Sequence, residues 1–407
     1  MARDSEISST AVAYEERRWH RHKRSFRYTR VVALIIAGLA ASSCSSTAIS
    51  THTHTHTHTR NSPLAASGSE PGAVSNRGRH AVLGPGLAQP VLDSVFCASA
   101  ASCVAVGVRS HGAAVSYSTS DSGAHWTRGS VPAHASGLTS VYCFVEASCI
   151  ATGSHAILTS KDAGATWSVA SDPAPGADIS SVVCLSSTVC IAAGLYPRAT
   201  TGTAGIILTS GDAGTTWHVA KIPVWVSGIT SLGCSSTSFC VAAGDVVLVS
   251  YDAGGTWQAR SVKDGIVGSV SSLSCASSVA CFGVGANPIG TQNPSAAGLL
   301  ISTTDQGASF QDLSLPAGTS RVSAISCVPG VCYAAGLGAR GAPGVFLETS
   351  NDGASWSLKP LPSALSAVTA LSCKTSTACV LVGDDASGPA TASTSDSGAT
   401  WTITSIA

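Results

Sequence analysis

Residues 139–170 read TSVYCFVEASCIATGSHAILTSKDAGATWSVA, and these 32 residues decide the fold. Four short runs rich in apolar and β-branched residues stand out: Thr139–Cys143, Cys149–Gly153, Ala156–Thr159 and Trp167–Ala170. Ser, Gly and Asp separate them, with Phe144–Ser148 and Ser160–Thr166 as turns. Runs of this length and composition, bounded by turn formers, predict strands rather than helices. No stretch here keeps a 3.6-residue period.

The pattern recurs seven times between about residue 90 and the C-terminus. A Cys pair marks each copy: Cys97/Cys103, Cys143/Cys149, Cys184/Cys190, Cys234/Cys240, Cys275/Cys281, Cys327/Cys332 and Cys373/Cys379. Each copy also carries a turn that ends in an aromatic residue: TSDSGAHW, SKDAGATW, SGDAGTTW, SYDAGGTW, TTDQGASF, TSNDGASW and TSDSGATW. The aromatics are Trp126, Trp167, Trp217, Trp257, Phe310, Trp356 and Trp401. A four-stranded unit of 40–50 residues, repeated, is the signature of a propeller blade. One blade cannot bury both its faces, so a ring must close. The sequence therefore predicts an all-β chain: a seven-bladed β-propeller over 88–407, with four antiparallel strands per blade. Thr402–Ile406 supplies the last strand, so closure needs no strand exchange.

The turn resembles the Asp-box or BNR repeat, Ser/Thr-x-Asp-x-Gly-x-Thr-Trp. It is found in sialidases, sortilin-type receptors, some glycan-degrading enzymes and a photosystem assembly factor. The acid is Asp121, Asp162, Asp212, Asp252, Asp305 or Asp396, and Asn351 takes its place in the sixth copy. Its expected work is local: the carboxylate accepts N–H bonds inside the turn, the glycine permits a positive φ, and the aromatic packs between sheets. A catalytic or metal-binding use of the acids is the competing reading.

Basic and acidic residues balance at 22 each, but unevenly along the chain. Residues 1–87 hold 11 Lys and Arg against 5 Asp and Glu, and the remainder holds 11 against 17. The propeller is mildly acidic with no basic stripe, which argues against nucleic acid. Residues 1–44 have the form of a signal peptide or lipoprotein signal. Arg17, Arg18, Arg21, Lys23, Arg24, Arg27 and Arg30 precede the 11-residue apolar run Val31–Ala41, too short for an ordinary membrane span. Ala41-Ser42-Ser43-Cys44 resembles a bacterial lipobox, with Ala41 where Leu is usual. Lipidation at Cys44, plain cleavage and a retained anchor all fit. Each puts the propeller outside the cytoplasmic membrane, secreted or held in the cell envelope. Residues 45–87 form a low-complexity linker. Inside it, THTHTHTHT carries His52, His54, His56 and His58, which share one side of an extended chain. They are either a weak metal chelator or a repeat in a solvated tether.

Cys44 is the odd one of 15 cysteines. The other fourteen flank the turn between the first and second strands, and opposed residues of antiparallel strands are close enough to bridge. Seven hairpin disulfides are expected, in keeping with export.

In a propeller, first-to-second and third-to-fourth turns share one face. Here those are the Cys hairpins and the acidic turns, nearly constant from blade to blade. The second-to-third connections share the other face and vary. Blades 2 and 4 have almost none, and the others carry long ones. Function concentrates in such loops, so the candidate ligand-binding residues are Arg109, His111, Tyr196, Arg198, Asn287, Gln292, Asn293, Arg340, Asp384 and Asp385.

Catalysis enters only through the sialidase resemblance. That would require an arginine triad, a Glu-activated Tyr and an acid/base Asp. The Arg-Ile-Pro motif is absent, and Glu146 and Glu348 are the only glutamates after residue 88. Paired carboxylates for glycoside hydrolysis would have to come from Asp such as Asp384 and Asp385. The sequence thus favours a non-catalytic propeller, expected to be monomeric and without cofactor. It would bind a protein, peptide or cell-wall glycan, and a divergent glycoside hydrolase is the alternative.

Overall fold

A computed structural model describes residues 89–171, 174–198, 202–262, 269–286, 298–338, 344–365 and 367–406. Its 28 strands, β1 to β28 in chain order, form seven four-stranded antiparallel sheets. Each sheet is contiguous in sequence, and each repeat unit is one blade.

Blade 2 shows how sequence becomes sheet. It contains β5 (Leu138–Val145), β6 (Ser148–Gly153), β7 (Ala156–Ser160) and β8 (Ser168–Val169). The first hairpin is tighter than the five-residue turn expected, because Val145 pairs with Ser148 beyond the cysteines. The fourth strand is shorter than expected, pairing only through Ser168 and Val169. Trp167 lies just before it, buried at the end of the turn, because its indole is consumed as a wedge against blade 1. Cys143 pairs with Cys149, and Cys149 with Ser160. That row places the disulfide and the first residue of the acidic turn at the same end of the sheet, and every blade repeats it.

All seven hairpin disulfides are formed, with Cα atoms 3.9 to 4.1 Å apart. They include Cys275–Cys281 and the shorter-spaced Cys327–Cys332. In one respect the pairs differ from simple staples at a surface turn: the two halves of a bridge are not equivalent. The second cysteine is always buried, at Cys103, Cys149, Cys190, Cys240, Cys281, Cys332 and Cys379. The first is only partly buried at Cys234, Cys275 and Cys327. The reason is position in the sheet. The second strand is flanked by the first and the third and covered by both neighbouring blades, whereas the first strand is an edge. Cys281 and Cys332 therefore act as small core residues as well as cross-links, each packed in an inter-blade cluster.

The first strands are β1 (Val91–Cys97), β5, β9 (Asp178–Cys184), β13 (Ile229–Ser236), β17 (Ser269–Cys275), β21 (Thr319–Val328) and β25 (Ala367–Cys373). Each packs against the next around the ring, and β25 returns to β1, so they are the innermost strands. Every first strand is bulged in its first half: at Asp93, Thr139, Ser180, Thr230, Ser271, Ser323 and Thr369. A bulge kinks the strand and raises its twist. It also brings a backbone carbonyl over the end of the second strand, where a glycine recurs. At Gly153 an added Cβ would stand 2.0 Å from the Gly137 oxygen.

An innermost strand has one edge without a strand partner, exposing unpaired N–H and C=O groups. Hydroxyls from the neighbouring blade meet this need. Val141 N–H donates to Ser94 Oγ, Val182 N–H to Ser140 Oγ and Leu232 N–H to Ser181 Oγ. Thr230 Oγ1 donates to the Val270 carbonyl. Ile325 N–H donates to Ser272 Oγ, Cys373 N–H to Ser326 Oγ and Cys97 N–H to Ser372 Oγ. Every one of the seven blade interfaces therefore carries such a bond, including the seam from blade 7 to blade 1.

Seven apolar cores lie between the sheets, one per interface. The seam core joins Leu92, Val95, Val115 and Tyr117 of blade 1 to Ala370, Val380, Val382 and Ile406 of blade 7. Trp126 closes it, its indole N–H donating to Thr391 Oγ1 of blade 7 at 3.0 Å.

Candidate functional site

The constant end of the ring is occupied by its own bonds. In blade 2, Asp162 Oδ1 accepts from Ser160 Oγ (2.8 Å) and Thr166 N–H (2.8 Å). Asp162 Oδ2 accepts from Thr166 Oγ1, and Gly164 N–H donates to Ser160 Oγ. These bonds, the Thr166 hydroxyl first, hold the carboxyl below its usual range. The same arrangement, led by Thr216, pulls Asp212 down to about 2. At Asp121 the His125 N–H leads, followed by the His125 ring 2.6 Å away, and the shift is again downward.

Two consecutive residues of the turn are left-handed: Ala163 at φ 57° and Gly164 at φ 82°. The sequence predicts only the glycine. The additional left-handed residue aims its N–H at the Cys hairpin, where Ala163 N–H donates to the Ala147 carbonyl. Ser122, Ala213, Gln306 and Ser397 make the equivalent bond in blades 1, 3, 5 and 7. Disulfide hairpin and acidic turn are thus tied together, and the carboxylates stabilise the turns that carry them.

The variable end differs from expectation in one respect. In blades 3 and 7 the connections read as long loops are hairpin extensions. In blade 3, β10 (Cys190–Arg198) and β11 (Gly202–Ser210) stay paired to their ends, with Tyr196 opposite Ala204 and Arg198 opposite Gly202. Tyr196 and Arg198 are strand residues. Tyr196 alternates with Ala192, which packs between blades 2 and 3, so its ring points toward blade 2.

In blade 7, Asp384 and Asp385 end β26 (Cys379–Asp385), opposite Pro389 and Gly388 of β27 (Gly388–Thr394). Adjacent strand residues face opposite sides, so these carboxyls do not converge as an acid–base pair. Asp385 accepts from Ser387 N–H, Ser387 Oγ, Gly388 N–H and Ser405 Oγ, which lower its pKa. Burial first, and then the Asp385 charge, raises Asp384. Arg109 follows β2 (Cys103–Val108), and exposed His111 sits at φ 65° in the short turn after it. Asn287, Gln292, Asn293, Arg340, Cys44 and His52, His54, His56 and His58 lie outside the described residues.

Among the described residues, the most exposed apolar feature of this end lies in a connection that the sequence reading passed over. The link from each fourth strand to the next blade also opens on the variable face. Five of these links contain one recurring turn, in which the N–H of the fourth residue donates to the carbonyl of the first. They are Pro132–Ala135, Ala174–Ala177, Pro223–Val226, Pro316–Thr319 and Pro362–Leu365. Their central residues are Ala-His, Pro-Gly, Val-Trp, Ala-Gly and Ser-Ala. Only the third presents two large apolar side chains: Val224 is 87% exposed and Trp225 62%. The base of that turn is fixed, since Val226 is buried and its carbonyl accepts from Gly205 N–H at 2.8 Å. Aligning the five links would have exposed the anomaly.

No family model matches the sequence, and no curated protein does either. Solved structures with this architecture do match. One is described as YCF48 bound to D1 peptide. The likeness has a TM-score of 0.53 at 15% identity and covers 74% of this chain and 92% of that one. YCF48 from Cyanidioschyzon merolae gives 0.47 at 13% identity, over 66% and 84%. An ancestral GH74 enzyme gives 0.40 at 11%, over 78% and 39%. At such identities the likeness speaks for the fold.

Proposed function

We propose that this chain is a non-catalytic, exported or envelope-anchored binding propeller of the Asp-box superfamily that holds a protein or peptide on its variable face. The observation that carries this reading is the Val224–Trp225 turn. A rigidly based turn that leaves Val and Trp in water does nothing for the core, and Trp is prominent among the residues that dominate interfaces. The likeness to a propeller described with a bound peptide supports the same class of partner. The seven disulfides suit an oxidising compartment, consistent with residues 1–44 as an export signal and Cys44 as a lipid attachment point. Residues 45–87 would then be the tether.

The hydrolase alternative draws less support. Glu146 lies in the turn of a Cys hairpin, at the constant end. Glu348, on β23 (Gly344–Thr349), is held 2.7 Å from Lys359 Nζ. Neither meets a second carboxyl across a cleft among the described residues.

The test is site-specific photo-crosslinking in the native host. A photoreactive residue at position 225 should yield a discrete protein or peptide adduct that the same residue at position 146 does not. Adducts at 146 alone would move the binding surface to the constant end.

A further inference from the structure

The residue at the first-strand bulge is Thr or Ser in six blades and Asp in one. At the bulge, Thr139 Oγ1 donates to the Ile179 carbonyl of the next blade at 2.9 Å. Thr230 donates to Val270, Ser271 to Val322 and Thr369 to Leu92 in the same way. In each case the acceptor precedes the bulge of the next blade. At the joint from blade 1 to blade 2 the bulge residue is Asp93, and the corresponding acceptor is the carbonyl of Leu138.

A hydroxyl donates to a carbonyl at any ordinary pH, whereas an ionised carboxylate only accepts. We propose that Asp93 makes the blade 1–blade 2 joint proton-dependent: the neutral acid donates to the Leu138 carbonyl as Thr139, Thr230, Ser271 and Thr369 do at their joints, and the ionised acid cannot.

The surroundings favour the neutral form. Asp93 is half-buried, and burial alone pushes its carboxyl up to about 6, with no opposite charge among the described residues to pull it back. The elements against β1 are β2, β5, β25 and β26. Among them β2 and β25 carry no titratable group outside the disulfides, β5 carries Tyr142, and β26 carries Asp384 and Asp385. No cation among them would stabilise the Asp93 anion. The folded state therefore binds this proton more tightly than the unfolded chain. Its stabilisation is complete below about pH 4 and is lost as pH rises through about 6.

The experiment compares thermal unfolding of the wild type, Asp93→Thr and Asp93→Asn from pH 5 to 8. Thr restores the ring hydroxyl and Asn supplies a donor at every pH. The wild type should lose stability across this window, by about tenfold in the unfolding constant. Both variants should be flatter than the wild type and more stable at pH 8. A second measurement needs no variant. Hydrogen exchange of wild-type residues 138–145, corrected for the chemical rate, should show weaker protection at pH 8 than at pH 5. Parallel pH profiles in all three proteins, or protection unchanged between pH 5 and 8, overturn the proposal.

Discussion

At the scale of single residues, the acidic turns contain their own control. Asn351 stands where the other six turns have Asp, yet its Oδ1 still accepts from Ser355 N–H and Thr349 Oγ1. Its Nδ2 donates to Ser355 Oγ, reversing one bond without losing it. The turn therefore keeps its bonds with a neutral acceptor and a planar branch, and a charge adds to them. Asp212→Asn should lower Tm less than Asp212→Ala, which should lower it by roughly 2 °C through lost turn bonds. Differential scanning calorimetry of the two variants checks this, and equal losses would show that the charge alone matters. The pH dependence has a sign at each end. The turn carboxyls are depressed, so their contribution is present above about pH 4 and fades as pH falls toward 2. Asp93 is raised and acts oppositely, losing its contribution as pH rises from about 4 through about 6. Stability should therefore peak between these values. The carboxylate's role was legible because a charge, a glycine and an aromatic keep fixed spacing. The left-handed Ala163 and Ala213 were not, because alanine in a sequence carries no mark of backbone sign.

At the scale of elements, the cysteine spacing was legible because two strands joined by a short turn must oppose their ends. The uneven burial of the two sulfurs was not, because spacing says nothing of which strand is covered on both sides. Strand ends were also less legible. Gly194–Arg198 contains Gly and Pro and looks like loop, yet it remains paired with β11 to Arg198. From Tyr196 on, beyond the end of β9, the two arms of the hairpin satisfy each other's backbone with no third strand. The bridged cysteines are only 5 or 6 residues apart in sequence, so each bridge constrains the unfolded chain modestly. Replacing Cys234 and Cys240 together by Ala should cost about 2 kcal/mol in denaturant unfolding. The loss should stay local, because β13 and β14 (Phe239–Gly244) remain paired beyond the bridge through Ser236 and Phe239. A much larger cost would mean that the bridge holds blade 4 against its neighbours. The Val224–Trp225 turn is equally hard to see at this scale, since a two-residue tip has no period and shows only against its four counterparts.

At the scale of the whole molecule, repetition made the blade count readable, and the last strand made closure without exchange readable. The particular bonds that seal the seam were not, because they join residues far apart in sequence: Trp126 to Thr391, Thr369 to Leu92 and Cys97 to Ser372. The seam is built like the other six interfaces, and the two ends of the described chain meet beside it. Ile406 N–H donates to the Pro389 carbonyl at 2.9 Å, and Gln89 lies against neighbouring Gly388. If the ring has no privileged starting point, joining residue 406 to residue 89 by a short glycine linker should preserve it. New ends would be opened between Ala133 and His134, in the exposed turn linking blades 1 and 2. Such a permutant should fold to a seven-bladed ring with Tm within about 5 °C of the parent, because no blade loses a strand. Deleting residues 367–406 instead removes blade 7 and bares the apolar faces of blades 6 and 1, so that protein should be insoluble. If the permutant fails as completely as the deletion, the order of synthesis from blade 1 onward is part of what closes the ring.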